Sequence, residues 1–341
     1  MERRLRFCGI DVGSHSLHLA CLAADGEGGL QLLTASAPAP GPWTDGCPPA
    51  AGLTGAVKAA AGALEGVRWG LPLRPAPAAV SLPTAALVVK AVNLPALSAG
   101  ELRAALTLEI ERLHPDDAAE TVGDWLPLEA PRGDDAGPAA QGCLLLTARQ
   151  TAVDAAAAPA RAARLTPVAV EPEPATLVRL ARLLATPEAE APEVLVDLGA
   201  GGTRLVVTRG DALLLFRELP VGGSHLTAAL AERHRIAPAE AEQLKCLACQ
   251  EAASLVEFGA AGERLVREVQ RSLRYVERQH RLEGYGALRL VGGGARWPLL
   301  RREIEQVVGV PAQESVALPV GAVPPEMALA AALCLWKEGT P

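Results

Sequence analysis

Two stretches of the chain set an aspartate at the end of an apolar run and follow it with glycine and small polar residues: "FCGIDVGSHSLHLACL" and "VLVDLGAGGTRLVV". Aligned on the acid, Asp11 matches Asp197, Gly13 matches Gly199 and Leu19 matches Leu205. A phosphate chain needs backbone N–H groups pointing at it with no Cβ in the way, and glycine permits both the close approach and the unusual φ angles. Gly13, Ser14, His15 and Ser16 form one cradle of this kind; Gly199, Gly201, Gly202 and Thr203 form the other, with Ser14 and Thr203 offering hydroxyl donors. Mg²⁺ keeps several of its waters when bound, so an acid at a strand end can hold the ion through water; Asp11 and Asp197 suit that role. Taken singly, each stretch also fits an ordinary β-hairpin with a glycine turn. The matched pair points to two halves of one nucleotide clamp.

A third stretch, "LRLVGGGARWPLLRREIEQ", reads as a strand, three glycines and a helix. Gly292, Gly293 and Gly294 let a ligand lie against the main chain, and the helix start beyond them offers unpaired N–H groups and a positive dipole end. It is neither a Walker loop, since no G-K-[ST] follows, nor a G-x-G-x-x-G fingerprint.

The elements around these bends alternate between strand and helix, which implies an α/β architecture with a mainly parallel sheet and antiparallel edges. Residues 6–22 read as strand, bend and strand, and the Ala/Pro/Gly-rich stretch 34–55 reads as a loop. Residues 84–164 read β-α-β-β-α, with Ser98 and Glu101 in the spacing of a capping box at the start of the first helix. The acidic, proline-containing "ATPEAEAPE" marks a lobe boundary before the second bend. A helical stretch runs from about 223 to 282 with a break near Gly259 to Gly262, and "PPEMALAAALCLW" is a final helix. Trp69, Trp125 and Trp297 stand alone and read as core residues.

Bulk properties narrow the function. Across 341 residues the net charge is −7, which argues against a nucleic-acid role driven by a basic surface. The basic stretch "VREVQRSLRYVERQHRLEG" then reads as a solvated helix face or a surface for an acidic partner. No apolar run approaches the roughly 20 residues of a spanning helix, and the N-terminus lacks an apolar signal core, so a cytoplasmic location is expected. Most of the 7 cysteines lie in apolar runs and read as buried hydrophobes. Cys246 and Cys249 form the only C-x-x-C, without the second pair or nearby histidines of a zinc site.

Two phosphate bends, a glycine loop and a connecting acid together resemble the actin-like ATPase superfamily. Within it, "GIDVGSHSLHLA", "VNLPALSAGELRAALTLEIERLHP", "LLLTARQTAVD", "ELPVGGSHLTAALAERHRIAPAEAEQLK" and "LVGGGARWPLL" resemble the PilM family of type IV pilus assembly proteins. The resemblance implies a bilobed actin-like (ribonuclease-H-like) ATPase fold with an inserted β-α-β-β-α subdomain of the type shared by FtsA and PilM. It divides the chain into a first lobe at 1–83, the insertion at 84–164, a return with a connecting helix at 165–190 and a second lobe at 191–222. The helical part of that lobe follows at 223–284, a return at 285–323 and a C-terminal connecting helix at 324–341.

The resemblance further implies ATP and Mg²⁺ as ligands, with Gly292–Gly294, Glu242 and Lys245 at the adenosine. It makes Glu173 the acid near the attacking water, with hydrolysis slow at most. It implies a partner too: the N-terminal tail of a PilN-like inner-membrane protein, with other pilus motor components beside it. That tail docks in a groove beside the insertion, and lobe closure responds to nucleotide. The protein would thus be recruited to the inner membrane through a partner and without inserting. Three positions depart from the family pattern: His15 replaces a hydroxyl residue, His18 falls where Lys is common, and Arg204 follows Thr203 where an acid is more frequent. The last predicts weaker metal binding. The same fold also serves small-molecule kinases, for which Asp124 is the nearest acceptor base, and a degenerate scaffold that binds no nucleotide is the remaining alternative.

Overall fold

The computed structural model describes residues 4–24, 29–39, 41, 52–64, 76–130, 140–186, 190–251, 259–313 and 316–337. The chain divides into two compact units, one of Met1–Leu180 with Leu329–Pro341 and one of Ala181–Ala328.

In the first unit, β1 (Arg4–Val12), β2 (Ser16–Ala24) and β3 (Leu30–Pro38) form an antiparallel meander. Next come α1 (Leu53–Gly62) and β4 (Pro77–Leu82). Then follow β5 (Val88–Pro95), α2 (Ala99–Leu113), β6 (Thr121–Leu128), β7 (Ala140–Arg149), α3 (Gln150–Ala162), β8 (Thr166–Pro172) and α4 (Glu173–Leu184). A five-stranded sheet has the order β3-β2-β1-β4-β8, with β1/β4 and β4/β8 parallel. Its core is built from Ile10, Leu17, Leu19, Val57, Val80 and Leu82, with Ala156 and Ala160 of α3.

Residues 34–38 are strand, against the expectation of a loop: β3 pairs along its whole length, from Ala24↔Leu30 to Ser16↔Pro38. Ala35 and Ala37 alternate inward, so a period of two was present but carried by small side chains. Pro38 is tolerated because it ends an edge strand. The rest of the expected loop, apart from Ala39, Gly41 and residues 52–55, lies outside the described residues, as does Trp69.

The insertion forms its own antiparallel set, in the order β6-β7-β5, covered by α2 around Val92, Leu102, Leu106, Cys143 and Leu145. The capping box is present: Ser98 Oγ accepts from Glu101 N while Ser98 N donates to the Glu101 carboxylate at 2.9 Å. The packing boundary falls near Ala148, because α3 turns its alanines into the core of the five-stranded sheet.

In the second unit, β9 (Glu193–Leu198), β10 (Thr203–Arg209) and β11 (Ala212–Leu219) are successive antiparallel strands. Helices α5 (Gly223–His234), α6 (Pro238–Glu251) and α7 (Gly259–His280) follow. Next are β12 (Ala287–Val291), parallel to β9, then α8 (Pro298–Val308) and the small hairpin of β13 (Val316–Leu318) and β14 (Gly321–Val323). Helix α9 (Ala328–Cys334) carries the chain back into the first unit.

The helical stretch breaks at residues 235–237, where Pro238 opens α6. Gly259 opens α7 and Gly262 is buried inside it, so a helix starts where the break was expected; residues 252–258 lie outside the described set. Trp297 is buried in the core of this unit, and Trp125 packs partly buried in the insertion. In the first unit, Gly9 lies where a Cβ would run into the Ala330 carbonyl of α9, which explains a glycine inside β1. Among the described residues, no helix is long and apolar enough to cross a membrane.

Candidate nucleotide-binding bends

The first bend joins β1 to β2 with Val12 opposite Leu17. Gly13 N donates back to the Ser16 carbonyl at 3.1 Å, and a Cβ on Gly13 would lie 2.8 Å from that oxygen, so the turn itself requires glycine. One of the expected phosphate donors is therefore used within the turn. His15 is exposed and its carbonyl accepts from Ala39 N. Ser16 Oγ and His18 Nε2 share a hydrogen bond of 2.8 Å. Ser14, His15 and Ser16 border an open depression of about 550 Å³ shared with Ser36 and Pro38. The half-buried Asp11 carboxylate accepts from Ser81 Oγ at 3.0 Å, and that hydroxyl in turn accepts from Val12 N at 2.8 Å. Ser81, a hydroxyl within the apolar "AAVSLP", was the sequence signal for this contact.

Elsewhere in the same unit, Glu173 stands at the first turn of α4 and is buried. Its Oε2 accepts from Thr84 N at 2.8 Å and from the Thr84 hydroxyl at 2.7 Å. This acid is held in place by the turn before β5, a partnership the sequence did not reveal.

The second bend joins β9 to β10. It rests on the start of α5: Gly223 N donates to the Gly199 carbonyl and Ser224 N to the Ala200 carbonyl, both at 2.9 Å. A Cβ on Gly222 would lie 2.6 Å from both Gly199 O and Gly202 N, so two main chains meet here without side chains between them. Gly201 is exposed at the tip and Gly202 is buried. Thr203 is fully buried and its hydroxyl donates to the Val221 carbonyl at 2.8 Å. That hydrogen bond fastens β10 to the approach to α5.

Asp197 has a charged partner. Arg204 Nη1 donates to Asp197 Oδ2 at 3.2 Å, forming an ion pair between a partly buried guanidinium and a buried carboxylate. On the other side, Gly292 lies so close that a Cβ there would be 2.5 Å from Asp197 Oδ1. Asp197 Oδ2 is thus paired with a guanidinium, and glycine at 292 keeps a side chain away from Oδ1. Among the described residues, no group of three or more His, Cys, Asp or Glu side chains is arranged to hold a metal.

The remaining expected residues of this unit gather around the same bend. Gly292 has φ +80° and its N–H donates to Pro325 O at 3.0 Å. A Cβ on Gly294 would meet Leu198 Cβ at 2.8 Å. These two glycines are thus required by φ or packing, whereas nothing lies within 4 Å of a Cβ placed on Gly293. Its surface is open for something to lie against. On α6, Glu242 accepts from Lys245 Nζ at 2.7 Å and from the Thr227 hydroxyl, while Lys245 also reaches the Gly223 carbonyl at 3.2 Å. Glu242 and Lys245 therefore tie α6 to the first turn of α5, next to the bend. The second unit by itself brings together Asp197, Gly199, Gly202, Gly292, Gly294, Glu242 and Lys245.

Chains of known structure share this fold. One, titled the PilM-PilN type IV pilus biogenesis complex, superposes with a TM-score of 0.75 at 26% identity, covering 97% of this chain and 98% of that one. The ethanolamine utilization protein EutJ from Carboxydothermus hydrogenoformans gives 0.57 at 19% identity, over 98% and 91% of the two chains. The diol dehydratase-reactivating factor, in a nucleotide free form, gives 0.52 at 10% identity, over 98% and 99%. No curated protein matches the sequence. The fold is thus that of the actin-like ATPases. The model of the type IV pilus assembly protein PilM family matches residues 9–320, and the chain belongs to that family.

Proposed function

We propose that this protein is an ATP-binding cytoplasmic assembly protein of a type IV pilus inner-membrane platform. In this reading both acid-bearing bends act on one polyphosphate and the open Gly293 surface receives the adenosine. The observation that carries it is the recurrence of one frame: Asp11 and Asp197 each end a strand that has an antiparallel partner on one side and a parallel partner on the other. Family membership and the likeness to a PilM-PilN complex support a PilN-like partner, whose N-terminal tail recruits the protein to the membrane. Nucleotide would act by binding one arrangement of the two units better than another, which is how a ligand biases closure.

Mg²⁺ enters with ATP and neutralises phosphate charge; the half-buried Asp11 carboxylate, which accepts from Ser81 Oγ, is the acid proposed to hold a metal-bound water. Glu173 is the acid proposed to orient the attacking water. Its Oε2 already accepts two hydrogen bonds, which suits slow turnover.

A thermal-shift titration with ATP and Mg²⁺ tests this. Binding to the native state adds about 2.7 kcal/mol of stability at a ligand concentration of 100 Kd. A synthetic PilN-like N-terminal peptide should bind, with an affinity that changes on adding ATP. Absence of any shift over a wide ATP range, with the peptide binding identically throughout, would remove the nucleotide part of the proposal.

A further inference from the structure

Asp197 and Arg204 stand directly opposite each other in the β9/β10 ladder, so their side chains share one face of the sheet. The guanidinium extends into the bend itself. A Cβ on Gly199 would lie 2.5 Å from Arg204 Nη1, and that nitrogen is 3.5 Å from the Gly202 carbonyl. Glu218 on β11 flanks it, with Oε1 at 3.8 Å from Nε. The guanidinium is thus held between the glycines expected to cradle a phosphate. A fixed planar group with five donors serves several acceptors at once and matches phosphate geometry. A divalent ion beside Asp197 would meet that positive charge at close range and find one carboxylate oxygen already paired.

We infer that in the second unit Arg204 takes the place of a metal ion against the nucleotide phosphates, and that Asp197 is a positioning residue that holds the guanidinium. This rests on the nucleotide reading above and departs from it on what the acid does. It implies that nucleotide binds to this protein nearly as well without Mg²⁺ as with it.

The test is calorimetric titration of ATP into the full chain in Mg²⁺ and in EDTA. For the unaltered chain the two affinities should agree within about threefold, and Arg204→Gln should weaken binding in EDTA by about tenfold or more, the scale of one charge-assisted contact. Arg204→Lys should recover part of that loss. Asp197→Asn decides between the two roles of the acid, because they move the Mg²⁺/EDTA affinity ratio in opposite directions. If the acid positions Arg204, the variant becomes more dependent on Mg²⁺; if it holds the metal, the advantage of Mg²⁺ disappears. A purely structural defect would lower both affinities and leave the ratio alone, which also counts against the inference. Should the asparagine variant fail to fold, the unaltered chain and Arg204→Lys still decide. A loss beyond tenfold in EDTA for the unaltered chain overturns this inference alone. No binding in either buffer overturns the nucleotide reading and takes this inference with it.

Discussion

Asp11 ends β1, which pairs antiparallel with β2 and parallel with β4; Asp197 ends β9, which pairs antiparallel with β10 and parallel with β12. The register is the same to the residue: Asp11 lies opposite His18, and Asp197 lies opposite Arg204. Within this shared frame the two acids find different partners. Arg204 reaches across to its acid, whereas His18 bonds Ser16, and Asp11 is served by Ser81 on the parallel neighbour. In the second unit, Val291 faces Asp197 from the parallel side and has no hydroxyl to offer. One acid thus meets a hydroxyl, and the other meets a cation. A repeated strand frame fixes where an acid stands, and the residues on the two flanking strands fix what it can do.

The contrast predicts unequal costs of substitution. Arg204→Ala leaves Asp197 buried with its ion-pair partner gone and should destabilise the protein by about 3 kcal/mol, while Asp11→Ala, which breaks a hydrogen bond to a hydroxyl, should cost about 1 kcal/mol. Denaturant unfolding of the two variants measures the difference, and equal midpoints would break the comparison.

A second contrast lies inside the glycine loop. Gly292→Ala meets both a φ of +80° and the Asp197 carboxylate and should cost about 2 kcal/mol; Gly293→Val has open space and should leave stability within about 0.5 kcal/mol. Gly293→Val should instead weaken ATP about tenfold by covering the proposed adenosine surface. A melting temperature lowered as much by the valine as by the alanine would undo this division of roles. Ser81→Ala removes the hydroxyl that donates to Asp11 and accepts from Val12 N, and should cost about 1 kcal/mol, with a reduced hydrolysis rate in Mg²⁺ as the sharper readout.

The acids and glycines of both bends were legible in the sequence because an aspartate closing a β-branched run and a glycine turn are local signals. So was the capping box at Ser98 and Glu101, whose partners lie within one helical turn. The strand at 34–38 was missed because alanine and serine carry a weak period-two signal and proline argues for a turn. Thr203 was read from its position after glycine; the pleat turns it inward, where Val221 O accepts its hydrogen bond, a contact no local rule gave. Thr84 could not be joined to Glu173 by any local rule, since the contact spans 89 positions.

The sequence by itself determined the strand-ending acids, the glycines that let the main chain turn, and the family likeness carried by their order. These follow from φ preferences and hydrophobic periodicity, which act over a few residues. Only the tertiary structure decided that Arg204 pairs with Asp197, that Ser81 serves Asp11 and that Gly293 alone of its loop faces open space. Those outcomes depend on which strands become neighbours and in what register, and that is set by burying two separate cores rather than by any single stretch of chain.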